Sequence, residues 1–145
     1  MATDKDEIRA QYKRDFEDSL SVCETFYEKI TEIMKKKHWN TAIFCERTGL
    51  NKTVLSDIKS AKGKTTIRIA ISICVGFGLN ISKTEEMLRY AGLSFIMTDP
   101  VHFKYYYLVT HYRKIGIVNG NKLLRILGME QKDLLGSQEK ASRVR

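Results

Sequence analysis

From Ile8 to Met34 the apolar side chains Ile8, Tyr12, Phe16, Leu20, Cys23, Tyr27, Ile30 and Met34 recur at steps of three and four. That spacing puts them on one face of a helix, either one long helix or two set end to end. A chain that opens this way and holds one proline in 145 residues has room for helices along most of its length. Strand candidates are few. Ile67, Ile69, Ile71 and Ile73 alternate as a strand would, but only "YYYLV" at 105–109 offers a partner. Pattern alone leaves 66–77 open between strand and helix.

Capping residues divide the rest. Asn40 suits the start of a helix that Gly49 ends, and Asn51 suits the start of a second, running to about Ser60. Ser82 with Glu85 reads as a capping box, and Asp99-Pro100 as the start of a helix through "VHFKYYYLVTHYRK". "GNKLLRILG" makes a further short helix closed by Gly128, and "SQEKASRVR" a frayed tail. "MLRYAGL" at 87–93 resembles "LLRILGM" at 123–129. This is either two amphipathic helices that both close on glycine or a duplicated helical hairpin. The organisation expected is a slightly acidic helical extension at 1–23, a main domain at 24–97, a helical hairpin at 98–136 and a flexible tail at 137–145.

With 43% hydrophobic and 10% aromatic residues the chain can bury a core. Its formal charge of +8 favours anionic partners, nucleic acid first and an anionic membrane surface second. Half of that charge is concentrated: Lys52, Lys59, Lys62, Lys64 and Arg68, less Asp57, leave +4 over residues 51–68. Three cysteines without a C-x-x-C pair fit reduced thiols. The charged start carries no secretory signal, and the apolar run at 69–79 is too short to span a bilayer. A cytoplasmic protein with no membrane partner is expected.

Residues 41–60 form two short helices joined through Gly49, with Phe44, Thr48, Leu50, Leu55 and Ile58 turned inward and Cys45 at the close approach. This is the layout of a helix-turn-helix. Residues of about 26–93, from "ITEIMKKKHW" through "TAIFCERTGL", "NKTVLSDIKSAKGK" and "TTIRIAISICVGFGLNIS" to "KTEEMLRYAGL", resemble the lambda-repressor-like (Xre/Cro-type) DNA-binding family. Cys45, Gly49, Leu50 and "LSDI" at 55–58 match its pattern of a small residue, turn glycine, apolar residue and recognition-helix core. The resemblance implies an all-α fold with a five-helix domain and flanking helices, and makes 66–77 a buried helix ending at Gly78. It implies a sequence-specific regulator of transcription, bound to double-stranded DNA as a homodimer.

Carried over, the base-reading positions are Asn51, Lys52, Thr53, Ser56, Asp57 and Ser60, and the phosphate contacts Thr41, Lys59, Lys62, Lys64 and Arg68. Lysine can donate to guanine, threonine can touch a base edge or the thymine methyl, and aspartate can accept from cytosine. Thr41 stands where the family often has glutamine, and Asp57 faces the groove without a cation at helical spacing. The alternative is a protein-interaction module on the same scaffold, such as an antitoxin or anti-regulator.

Other motifs fail. "GKT" at 63–65 has Ile58 where a phosphate loop needs glycine, and "GFG" at 76–78 has Ile81 where a dinucleotide loop needs one. His38, His102 and His111 lack metal-ligand spacing. The basic and aromatic "KYYY" run splits at helical spacing into a buried and a solvated face. No nucleophile–base pair or paired acids stand in a recognisable frame, so neither catalysis nor a cofactor or metal is expected.

Overall fold

The computed structural model describes residues 2–22, 25–60 and 65–136, with the side chains of α1 described from Asp4 to Glu17. All regular structure among them is helical: α1 (Ala2–Val22), α2 (Phe26–Lys37), α3 (Thr41–Thr48), α4 (Lys52–Ser60), α5 (Ile67–Phe77), α6 (Ile81–Tyr90), α7 (Pro100–His111) and α8 (Ile117–Ile126), then one 3-10 turn, Gln131–Asp133. Lys62, Lys64 and the expected tail lie outside the described residues.

The first periodic stretch is two helices. Thr25 ends the continuity by capping α2: its hydroxyl oxygen accepts the Glu28 N–H at 3.1 Å and its hydroxyl donates to the Glu28 carboxylate at 3.2 Å. Ile30 and Met34 enter the core as expected, whereas Ile8, Tyr12 and Phe16 stay exposed. A shared period therefore did not mean a shared destination.

The segment that pattern left open is helix α5, the centre of the molecule. It packs on α3, α6, α7 and α8 and buries Ala70, Ile71, Ser72, Ile73, Cys74, Val75 and Phe77. A helix enclosed on nearly every side needs apolar residues all round, so its alternating isoleucines carry no strand meaning. Thr66 caps it through the Ile69 N–H at 3.3 Å. Burial pushes the Cys74 thiol up to about 12, against an opposite influence of the Thr84 hydroxyl. Thr84 Oγ1 is itself buried without a well-formed hydrogen bond among the described residues.

Helix α6 starts differently from expected. Asn80, not Ser82, is its cap, accepting the Lys83 N–H at 2.8 Å. Asn80→Ala is thus expected to cost about 1 kcal/mol in urea unfolding, and Ser82→Ala only a few tenths. The Asp99 cap of α7 is as expected, on Val101 N at 2.8 Å and His102 N at 3.3 Å. Helix α8 begins at Ile117, three residues before Gly120, which is buried inside it.

The similar heptapeptides close α6 and α8 in the same way. Leu93 N donates to Leu88 O at 2.8 Å and Met129 N to Leu124 O at 2.9 Å, with Gly92 and Gly128 both left-handed. The two helices open and close 36 residues apart, Ile81 to Ile117 and Tyr90 to Ile126. Tyr105, Leu108, Leu124 and Leu134 belong to the same buried cluster as Ile30, Phe44 and Ile71, so 98–136 extends the core of 26–93 and does not form a separate one.

Candidate nucleic-acid interface

Helices α3 and α4 are joined by Gly49, Leu50 and Asn51. Asn40 caps α3 by accepting the Ile43 N–H at 2.9 Å, which leaves the amides of the exposed Thr41 and Ala42 without intrahelical partners. At the far end the Thr48 hydroxyl donates to Phe44 O at 2.7 Å and accepts from Leu50 N at 3.3 Å. Gly49 takes φ 73°, where a Cβ is strained. Leu50 then plugs into the core, and Asn51 Oδ1 accepts from Val54 N at 3.3 Å and from the Thr53 hydroxyl. The turn chemistry read from the sequence is present at each of these residues.

Helix α4 is held from one side. Leu55 is buried, Val54 and Ile58 are half-buried against the core, and the helix packs on α2 and α3. On the other side Lys52, Thr53, Ser56, Asp57 and Ser60 are all exposed, with Asn51 just ahead of them. At 3.6 residues per turn these five span an arc of about 140°. Lys59 extends the arc, its ammonium 5.9 Å from the Tyr27 ring centroid on α2. Among the described residues Asp57 makes no ion pair.

Arg68 departs from the expectation. It is half-buried on α5, and its guanidinium donates to the Gly136 carbonyl. It lies close enough to Tyr105 to favour that residue's phenolate, although burial first and then the Asp133 carboxylate hold the hydroxyl protonated well above the usual tyrosine range. The guanidinium that the resemblance assigned to a phosphate fastens Gly136.

That fastening was not legible in the sequence. The segment after α8 returns beneath the α3–α4 turn as a strap. Asn121 Nδ2 donates to Leu135 O at 3.0 Å while Leu135 N donates to Asn121 Oδ1 at 2.7 Å. Tyr105 Oη donates to Asp133 O at 2.5 Å, and Gly136 N to Ser72 Oγ at 2.9 Å. Gly136 lies so close to Gly49 that a Cβ on Gly49 would stand 3.1 Å from Gly136 Cα. Only the asparagine and the glycines carried any signal, and neither residue type names a partner.

Among the described residues no group of three His, Cys, Asp or Glu could hold a metal ion, and no helix is long and apolar enough to cross a membrane. What the site offers is a polar, partly cationic helix face on a braced turn. Comparison with known proteins gave no matching family model, no matching curated protein and no matching solved structure.

Proposed function

We propose that the chain is a sequence-specific regulator of transcription that binds double-stranded DNA through α3, the turn and α4, in the manner of the lambda-repressor-like proteins its sequence resembles. The observation that carries this reading is the outward stripe of α4, five polar side chains on a helix whose opposite side is anchored. A helix held in this way can enter a major groove without unpacking the core. Lys52, Thr53, Asp57 and Ser60 would discriminate bases, with Asn51 and Ser56 beside them. Lys59, Lys62, Lys64 and the α3 amino end at Thr41 would supply most of the affinity through phosphates. Arg68 is left out of that set, because its guanidinium is engaged by Gly136. One such unit covers a half-site, so the working form is a homodimer on a pseudo-palindrome.

The test is fluorescence anisotropy of the whole chain on a mixed-sequence duplex across a salt series. Wild type is expected to bind with a steep salt dependence. Lys52→Ala/Lys59→Ala is expected to bind on the order of tenfold more weakly, with a slope shallower by about one or two. No binding by wild type at low salt would overturn the reading. The exposed Asp57, which repels phosphate, would then favour the second one, a protein-interaction module on the same scaffold.

A further inference from the structure

Helix α1 carries a surface that the other described residues leave exposed. Its described side chains, Asp4 to Glu17, are all exposed, and none of the substantial helix packings involves it. Ile8, Tyr12 and Phe16 are 68%, 71% and 44% exposed and follow one another at intervals of four, so they form one narrow stripe. The Tyr12 and Phe16 rings stack at 6.2 Å. At about 100° per residue, Lys5, Arg9 and Lys13, with Glu17 after them, run along one edge of this stripe, and Glu7, Gln11 and Asp15 along the other, while Asp4 continues the stripe itself. Gln11 donates to Asp15 at 2.8 Å and accepts from the Arg14 guanidinium at 2.8 Å, which fixes that edge, and among the described residues neither Glu7 nor Asp15 makes an ion pair.

We infer that α1 pairs with α1 of a second copy of this chain, the two helices running parallel. In a parallel pair the two-fold axis runs along the helices, and the cationic edge of each faces the anionic edge of the other on both sides. In an antiparallel pair the axis crosses the helices, and like edges meet. A division of charge that suits the helix to itself is what self-pairing requires. An anionic membrane fits poorly: Asp4, Asp6, Glu7, Asp15, Glu17 and Asp18 outnumber Lys5, Arg9, Lys13 and Arg14, whereas helices that lie on membranes are rich in Lys and Arg. The pairing stands without the DNA reading and would supply that reading's second half-site.

Sedimentation equilibrium of the whole chain, reduced and without DNA, tests it from low micromolar to near-millimolar concentration. Wild type is expected to be dimeric. Tyr12→Glu is expected to be monomeric with unchanged core melting, since α1 lies outside the core. Arg9→Glu/Lys13→Glu and Glu7→Lys/Asp15→Lys should each dimerise on the order of tenfold more weakly, and an equal mixture of the two should form a mixed dimer. Wild type that stays monomeric overturns the inference, and co-sedimentation of that monomer with anionic phospholipid vesicles would assign the face to a membrane. Tyr12→Glu that remains dimeric, or reversals that leave the affinity unchanged, overturn it in favour of another surface or the antiparallel pair.

Discussion

Gly76→Val is expected to destabilise the protein by about 3 kcal/mol, read as a lowered urea midpoint at unchanged slope. A Cβ at Gly76 would stand 2.7 Å from Thr48 Cγ2, 2.9 Å from the Arg47 carbonyl oxygen and 3.1 Å from Thr48 Cα. Two of those three atoms are backbone and cannot rotate aside. Thr48 is tied as well, because its hydroxyl is bonded to Phe44 O and Leu50 N. The better helix propensity of valine over glycine returns at most about 1 kcal/mol, and the two valine methyls crowd the same space further. Since α3 is the helix displaced, the DNA binding proposed above should fall with stability in this variant. A Gly76→Val protein as stable as wild type would show that α3 can back away from α5 at little cost.

Asn121→Ala is expected to cost about 3 kcal/mol, the sum for two part-buried backbone groups left without partners at about 1–3 each. The affected groups are Leu135 N and O, between side chains that are buried in the core. The loss should spread along the strap, because Gly136 holds both Ser72 and Arg68. Amide hydrogen exchange over 129–136 is therefore expected to speed up well before that of α5. Unaltered exchange there, with stability within about 0.5 kcal/mol of wild type, would mean that Leu134 and Leu135 hold the strap by burial alone.

Much of the candidate interface was legible because it is made by neighbours in sequence. Asn40, Gly49 and Asn51 act on amides and carbonyls within five residues of themselves, and the exposed face of α4 follows from its period. Arg68 misled because a position matched to a family pattern does not show a carbonyl 68 residues further along the chain. Ser82 misled because Asn80, two residues earlier, offers an equally good cap, and the choice between them depends on where α5 ends.

By itself the sequence determined most helix boundaries, the left-handed turn at Gly49 and the polar character of α4, all set by local hydrogen bonding and side-chain period. Tertiary structure decided what local rules leave free. It enclosed α5 and so made a helix of isoleucines spaced for a strand, joined 98–136 to the main core, and drew Arg68 and Gly136 together beneath the turn. It also left the apolar stripe of α1 in solvent while the same period buried α2. The physical reason is common to these cases: burial and long-range hydrogen bonds depend on which surfaces meet, and a repeat in sequence gives a residue a face without giving that face a partner.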